Sequence, residues 1–271
     1  MKKRQIFLFT AWQLAGLICL FSFLSPLSAG CDPSGAGACP PPDQVLLKNI
    51  YPGDETLKYN IYWLGIKVGV LVMRIEQLKA CPDRIAITVD VRAANIFVIL
   101  HPVKDHFETI VSGAWRLPIR YLFCQNEGNR KNRKLTLYDQ KNLNVTYTKN
   151  DKKPITYKID GPVHNEYSSF LITRALPLEV GKKAAISVFA DKKSHKIQIV
   201  TQKKETLSTI FGKVPVIKIK PMLTFKGLYD KKGKPVIWIT DDEFRVPVKI
   251  KAKITIGSLT AELIEYSRNA L

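Results

Sequence analysis

The chain has 271 residues, of which 46% are hydrophobic and 24% charged, and its formal net charge is +19. This composition is typical of a folded globular protein and excludes an intrinsically disordered chain. The sequence lacks the repeats and long apolar runs that collagen, a coiled coil or a polytopic membrane protein would need.

The first thirty residues predict a signal peptide. A basic start, Met1–Gln5, precedes an apolar run from Ile6 to Leu24, and Ala29-Gly30-Cys31 follows. Small residues after an apolar run are typical of a cleavage site. The end of this segment also resembles a bacterial lipobox, in which cleavage leaves a lipidated cysteine at the N-terminus. Three interpretations stay open here: a lipoprotein attached through Cys31, plain secretion and an uncleaved anchor. We favour lipid attachment at Cys31.

Residues 31–44 are rich in Gly and Pro and predict a flexible linker. No similar change in composition occurs between residues 45 and 271, so we predict a single β-rich domain over that range. An exported chain with a lipidated N-terminus would lie on the periplasmic side of the envelope, anchored to a membrane. A soluble periplasmic or secreted protein is the alternative.

The cysteines fit an exported chain but leave the disulfide pairing open. If Cys31 is lipidated, Cys39, Cys81 and Cys124 remain, which allows at most one disulfide. Plain secretion would leave four cysteines and three possible pairings. Cys124 lies in an apolar run and could equally be a buried small side chain.

Alternation of apolar and polar residues with a period of two recurs along the chain and predicts strands. The clearest strand spans residues 246–256: Ile250, Ile254 and Ile256 are expected on the face that packs on the core, and Lys249 and Lys251 on the solvated face. Turns are predicted where Gly, Pro and Asp cluster, at 81–83, 231–234 and 256–258.

One segment departs from the strand pattern. Between Pro162 and Pro177, an apolar stripe at helical spacing (Tyr167, Phe170, Leu171 and Arg174) predicts a helix. Strands and helices do not alternate elsewhere, which argues against a parallel α/β sheet. The sequence therefore predicts an all-β, mainly antiparallel fold: a single curved sheet or open β-barrel-like domain of about a dozen strands with one central helix.

Several blocks of the sequence form a recognisable set. In chain order they are 52–59, 63–69, 167–170 with Arg174, 178–181, 227–248 and 256–263. Together these blocks resemble a bacterial exported-protein family, the uncharacterised domain of unknown function 3108 (DUF3108). The resemblance extends over roughly residues 50 to 265 and departs from the family pattern at Leu171-Ile172, where an aromatic pair is common. It implies an exported β-rich domain and supplies no activity.

The most conspicuous polar cluster in these blocks is Asp241-Asp242 with Arg245, between two predicted strands. Paired carboxylates could bind a divalent cation or act as acid and base. Adjacent residues in one turn, however, cannot flank a glycosidic bond from two sides. We expect a structural hairpin loop in which Asp accepts backbone hydrogen bonds and Arg245 pairs with one of the acids.

No residue is assigned a catalytic role, and no metal or cofactor is predicted. His101 and His106 are five residues apart, a spacing that fits neither one face of a helix nor one face of a strand. Ser168 and Ser169 lack the Gly-x-Ser-x-Gly sequence of a nucleophile elbow. We expect these serines and Arg174 to make polar contacts with neighbouring strands.

The positive charge is confined to two segments. Residues 130–158 carry a net charge of +7 and residues 181–234 carry +11, whereas the rest of the chain after the predicted leader nets to −2. Exposed lysines can protect strand edges and keep a protein soluble. They can also bind an anionic partner such as phospholipid head groups, lipopolysaccharide phosphates or acidic glycans. Nucleic acid is not expected, because the chain is predicted to be exported. The candidate binding residues are Lys192, Lys193, Lys203 and Lys204.

Three functions are consistent with these observations. The first is a non-catalytic binding or carrier module of the cell envelope for a lipid or another anionic component. The second is a structural or assembly factor that docks on a protein partner, and the third is a hydrolase that acts on glycan or lipid. We favour the first, because no arrangement of residues in the sequence supports catalysis.

Overall fold

The computed structural model describes residues 42–51, 53–190, 192–223, 235–254 and 256–269. Within these ranges, fourteen strands form one antiparallel sheet, and three short helices accompany it. The strands are β1 (Asp54–Trp63), β2 (Ile66–Gln77), β3 (Ile85–Ala93), β4 (Lys104–Ser112), β5 (Leu117–Glu127), β6 (Arg130–Asp139), β7 (Asn144–Lys149), β8 (Ile155–Lys158), β9 (Lys183–Ala190), β10 (Lys193–Thr209), β11 (Gly212–Leu223), β12 (Val236–Thr240), β13 (Pro247–Lys253) and β14 (Ser258–Arg268). The helices are α1 (Gln44–Ile50), α2 (Phe97–Leu100) and α3 (Glu166–Thr173).

Consecutive strands are neighbours in the sheet with one exception, the step from β8 to β9, and β14 pairs with β1. The order is β8-β7-β6-β5-β4-β3-β2-β1-β14-β13-β12-β11-β10-β9, so β8 and β9 are the two edges of an unclosed sheet. The predicted all-β fold is confirmed, with fourteen strands where about a dozen were expected.

Alternation places one face of each central strand in the core. On β1 the side chains of Leu57, Tyr59 and Ile61 are buried, and the residues between them are partly exposed. A glycine is required on the next strand: a Cβ on Gly69 would lie 2.9 Å from the backbone oxygen of Arg92. The close backbone approach expected of glycine in a strand is therefore present between β2 and β3.

Helix α3 fills the concave side of the sheet. The segment before it lies alongside edge strand β9, where His164 N donates to Ser187 O at 2.8 Å and Phe189 N donates to His164 O at 2.8 Å. The helix is buried on nearly every side, and Phe170 is its one partly exposed residue. It begins at Glu166 with Asn165 as N-cap, so the helix start predicted near Pro162 is wrong. An Asn side chain can accept a hydrogen bond from the free N–H groups of the first turn, which Pro162 cannot do.

The meander gives the sheet two ends. We call one the α2 end: it comprises the connections 64–65, 94–103, 128–129, 150–154 and 254–257 with the adjoining strand ends. The other, the α1 end, comprises 78–84, 113–116, 140–143, 174–182 and 241–246, and helix α1 packs there, with Asp43 N donating to Ala175 O at 3.0 Å. Each strand that the structure describes is paired, and one continuous core lines the sheet, as is typical of a unit that folds independently.

Three details of the sequence prediction need correction. The strand predicted over 246–256 is β13, Pro247–Lys253, and Ile256 lies in the following turn with 42% of its surface exposed. Residues 43 and 44 of the predicted linker belong to the cap and first turn of α1. Beside the predicted central helix, the described part of the chain contains two further short helices, α1 and α2.

The predicted signal peptide, Cys31 and the predicted turn at 231–234 lie outside the described residues. Cys81 and Cys124 are free thiols, the former exposed and the latter half-buried. Within the described ranges, no helix combines the length and the hydropathy needed to cross a membrane.

Candidate functional site

Several polar residues of the family blocks meet around Arg174, the C-cap of α3, which is 1% exposed. Its guanidinium forms a bidentate ion pair with Glu55 on β1, with Nη1 2.8 Å from Oε2 and Nη2 2.9 Å from Oε1. Burial alone would lower the pKa of Arg174, but the adjacent Glu55 carboxylate more than offsets it and the pKa is raised. Tyr266 Oη also donates to Glu55 Oε1 at 3.0 Å.

The loop between β12 and β13 completes this cluster. Arg174 Nε donates to the backbone oxygen of Arg245 at 2.9 Å, and Arg245 Nη1 donates to the backbone oxygen of Leu176 at 2.7 Å. The expected ion pair of Arg245 with an acid is wrong, because its guanidinium binds carbonyl oxygens at the end of α3 instead. Asp242 Oδ1 accepts from the backbone nitrogens of Phe244 at 3.0 Å and Arg245 at 2.8 Å. The cluster therefore fastens the helix, β1 and this loop together at the α1 end.

The two serines of the central helix lie in a capping network. Ser168 N donates to Asn165 Oδ1 at 2.9 Å, and Asn165 N donates to Ser168 Oγ at 3.0 Å, a reciprocal capping box. Ser169 Oγ donates to the backbone oxygen of Glu166 at 2.9 Å. Asn165 Nδ2 also donates to Thr109 Oγ1 on β4 at 2.8 Å, which connects the helix start to the sheet.

The structure brings one histidine to these serines that the sequence did not predict. His164 Nδ1 lies 3.1 Å from Ser168 Oγ, and burial lowers the pKa of His164 to about 4. The imidazole is therefore neutral at pH 7, and its Nδ1 can accept the hydroxyl proton, because Ser168 Oγ already accepts from Asn165 N. Ser168 is fully buried, so a substrate has no access to it, and the pair acts as part of the helix cap.

Two carboxyl side chains are buried inside the sheet near the α2 end. Asp105 on β4 and Glu127 at the end of β5 are both 2% exposed. Asp105 Oδ1 accepts from Asn126 N at 2.7 Å, whereas Asp105 Oδ2 and both Glu127 carboxylate oxygens have no hydrogen-bond donor. Burial raises the pKa of Asp105 to about 7, and the charge of Glu127 adds to the rise. The two carboxyl groups can therefore share a proton.

The four candidate lysines do not form one site. Lys192 and Lys193 lie at the α2 end, and Lys192 Nζ lies 5.2 Å from the centre of the Tyr147 ring. Lys203 and Lys204 lie in the half of β10 nearer the α1 end, where they form ion pairs of 2.7 Å with Glu205 and Asp241. Ten residues of strand, about 33 Å, separate the two pairs.

An exposed apolar surface at the α2 end is the feature that sequence reasoning missed. Helix α2 has no buried residue, and Ile99 is 83% exposed. The neighbouring hairpins meet it: the Trp63 ring lies 6.5 Å from the Phe97 ring, and Trp63 Nε1 donates to the backbone oxygen of Ile256 at 2.8 Å. We define the α2-end patch as Leu64, Ile66, Ile96, Val98, Ile99, Leu100 and Ile256, all of them exposed.

The absence of a side chain at Gly257 lets two of these loops lie in contact. It has a φ of +80°, and a Cβ at this position would collide with the side chain of Leu64. On the other side, Asn95 Nδ2 donates to the backbone oxygen of Lys67 at 3.1 Å, which ties the α2 loop to the β1–β2 hairpin. The patch is therefore one continuous surface built from three loops.

Basic side chains surround the patch. We define the basic rim as Lys67, Arg92, Lys104, Lys251 and Lys253, none of which forms an ion pair within the part of the chain that the structure describes. The described acids of the α2 end are the buried pair Asp105 and Glu127, and Asp151, which is exposed in the turn between β7 and β8. The α1 end carries many more acids: Asp54, Asp83, Asp139, Glu179, Asp241, Asp242 and Glu243.

The sequence did contain a signal for the patch. Residues 96–100 are five consecutive apolar residues between Asn95 and His101-Pro102 that do not alternate, so they fit no half-buried strand. Glu55 was also detectable, because it lies on the same face of β1 as Leu57 and Tyr59 and therefore faces the core.

An antiparallel, unclosed sheet around a short buried helix, with polar residues that fasten the helix to the sheet, defines the class of β-rich domains to which this chain belongs. The chain belongs to the family described as "Protein of unknown function (DUF3108)", whose profile matches residues 58–264. No functionally curated protein matches it.

Three solved structures of bacterial proteins match this chain in a structural comparison. A β-barrel-like protein of the DUF1849 domain family from Brucella abortus has a TM-score of 0.58 at 10% identity, covering 80% of this chain and 98% of its own. A Parabacteroides distasonis protein inferred to be a lipoprotein has a TM-score of 0.34 at 13% identity, covering 80% and 98%. A Bacteroides fragilis protein inferred to be exported, with a YmcC-like fold, has a TM-score of 0.30 at 12% identity, covering 79% and 95%. The first of these supports the fold alone.

Proposed function

We propose that this chain is an exported, non-catalytic binding module that docks on an anionic component of the bacterial envelope. The observation that carries the proposal is the uneven charge distribution of the sheet. Basic side chains at the α2 end have few acids beside them, whereas the α1 end carries acids together with basic residues such as Lys79, Lys141 and Lys213. A molecule polarised in this way turns its basic end toward an anionic surface.

The basic rim is arranged for an external partner. Arg92 and Lys104 lie directly opposite each other on β3 and β4, and like charges in that position destabilise a sheet. An anionic ligand would relieve this repulsion. Each Lys or Arg close to an anionic membrane contributes on the order of 1 kcal/mol, so several together suffice for a protein that a lipid chain already tethers.

We propose that the anionic partner binds at the α2 end of the sheet rather than against its concave face. Helix α3 and the core side chains cover the concave face, including Tyr167 and Leu171, which are buried there. A carrier with an acyl chain lying against that face would have to displace the helix and break the Arg174–Glu55 ion pair. Binding through the loops and strand ends requires no such rearrangement.

Vesicle co-sedimentation of residues 42–271 tests this proposal. We expect binding to vesicles that contain phosphatidylglycerol, little binding to phosphatidylcholine alone, and release as salt rises, because the Debye length falls to about 8 Å at physiological ionic strength. The triple variant Arg92→Glu, Lys104→Glu, Lys253→Glu should lose this binding. A charge-matched triple variant at the α1 end, Lys79→Glu, Lys141→Glu, Lys213→Glu, should keep it.

A second arm of the experiment identifies the source of the anionic groups. Purified lipopolysaccharide and an acidic glycan without lipid are added separately as competitors of vesicle binding. Equal binding to neutral and anionic vesicles at low salt, or equal loss in both triple variants, would contradict the proposal. The basic segments would then serve solubility and edge protection.

The second candidate function is an assembly factor that docks on a protein partner. The α2-end patch favours it, because contiguous exposed apolar surfaces often mark protein interfaces. Cross-linking in intact cells from Ile99, replaced by a photoreactive residue, distinguishes the two: a discrete protein adduct would support the assembly factor, whereas lipid adducts would support membrane docking.

A further inference from the structure

We propose that the α2-end patch inserts into the hydrocarbon boundary of a lipid bilayer, so that the anionic surface bound by the basic rim is a membrane. This inference rests on the proposed function and goes further, because it names the partner and assigns a role to helix α2.

The first argument is the composition and placement of α2. Its four residues, Phe97 to Leu100, are all apolar, and none of them is buried. A surface loop of a soluble domain would normally carry polar residues at its tip, and exposed apolar residues are ordinary only when scattered singly. Here seven of them adjoin across three loops.

The second argument is depth. A helical turn of four residues is about 6 Å long, and apolar faces of interfacial segments are buried by about 5–10 Å at the boundary of head groups and acyl chains. The Phe97 side chain packs against the core, which holds the base of the loop, while Ile99 extends into solvent. The exposed tip can therefore enter this shallow layer while the base of the loop stays attached to the sheet.

The third argument is the charge around the patch. Arg92 and Lys104 flank the α2 loop on its two strands, and Lys253 precedes the turn that contains Ile256. Apolar side chains surrounded by Lys and Arg fit an anionic bilayer. The apolar side chains enter its hydrocarbon, and the basic side chains bind its phosphate groups. A partner protein with a neutral surface would offer no anionic groups to the side chains of the basic rim.

Two measurements on residues 42–271 test insertion directly. Vesicles of phosphatidylglycerol carrying bromine on their acyl chains should quench and blue-shift the tryptophan introduced by Ile99→Trp. The matched variant Val45→Trp, on an exposed apolar residue of α1 at the opposite end, should show neither change. Native tryptophan emission is subtracted by use of the unmutated domain.

The second measurement is the partition coefficient at physiological salt. Ile99→Asp should lower it by at least about tenfold, since burial of one large aliphatic side chain accounts for such a factor. Val45→Asp should leave it unchanged. Both substitutions replace exposed side chains, and circular dichroism with thermal unfolding verifies that the variants stay folded.

The outcomes separate this inference from the proposed function. If the domain binds anionic vesicles in a salt-sensitive way but Ile99→Asp has no effect and no quenching occurs, insertion is excluded and the electrostatic proposal stands. If the unmutated domain does not bind anionic vesicles, both are excluded. A dimer in solution that Ile99→Asp converts to monomer would assign the patch to a second copy of the chain and overturn the inference.

Discussion

Arg174 and Glu55 are 119 residues apart in the sequence, and yet they form a buried bidentate ion pair that joins the end of helix α3 to the first strand. Both side chains are excluded from solvent, at 2% and 0% exposure. The same guanidinium donates to the backbone oxygens of Phe244 and Arg245, so one side chain fixes the helix against two regions of the sheet.

Removing one partner of this ion pair should lower the free energy of unfolding of the domain. Glu55→Gln leaves the Arg174 charge buried without a counter-ion, and we expect the free energy of unfolding in urea to fall by about 3–5 kcal/mol. The matched control is Lys58→Met: Lys58 and Glu265 have the same 2.8 Å separation but are exposed, so little change is expected. A similar small loss in both variants would mean that the buried pair does not hold the helix in place.

The sequence predicted the fold well because alternation is a local property of each strand. On β3, for example, the apolar residues Ile87, Val89 and Val91 are buried and the polar residues between them are partly exposed. Most neighbouring strands of the antiparallel meander are joined by short connections. The site could be predicted only in part. Arg174 was identified, but its pairing with Glu55 depends on where the end of α3 meets β1. The α2-end patch arises only where three loops meet.

Ile256 shows the same limit of prediction from a local sequence pattern. Residues 254 and 256 share one parity in the sequence, yet Ile254 packs against the core and Ile256 does not, because the strand ends at Lys253 and Gly257 turns the chain with a φ of +80°. The alternation predicts which face of the sheet a side chain lies on only as far as the strand extends.

This difference can be measured by truncating each side chain. We expect Ile61→Ala, in the core of β1, to lower the free energy of unfolding by about 2–5 kcal/mol, and Ile254→Ala to lower it by less. Ile256→Ala should leave stability nearly unchanged and weaken vesicle binding instead. Loss of stability in Ile256→Ala equal to that in Ile254→Ala, measured by urea unfolding, would place residue 256 in the core after all.

Processing of the N-terminus provides a separate test of export. Because small residues precede Cys31, we expect mass spectrometry of the protein from its own membranes to identify a mature N-terminus at an acylated Cys31. Cys31→Ala should leave unprocessed or soluble protein, whereas Cys81→Ala, which changes an exposed free thiol, should be processed normally. An unmodified N-terminus at another residue would exclude lipid attachment at Cys31.

The buried carboxyl pair predicts an unusual pH dependence of stability. The pKa of Asp105 is raised to about 7 in the folded state, whereas an unfolded chain would have an Asp pKa near 3.9. The folded state therefore binds more protons than the unfolded state between these values, and its stability falls as pH rises. The stabilising contribution is complete below about pH 4, decreases by on the order of 1 kcal/mol per pH unit, and is lost above about pH 7.

Urea unfolding between pH 4 and pH 8 measures this dependence, and Asp105→Asn should remove it. An amide at this position can donate a hydrogen bond to Glu127 at every pH, so the variant should be more stable than the unmutated chain at pH 8. Asp83→Asn, in an exposed turn at the α1 end, should keep the original slope. If Asp105→Asn and the unmutated chain lose stability in parallel as pH rises, Asp105 does not carry the extra proton and the two carboxylates are both ionised in the folded protein.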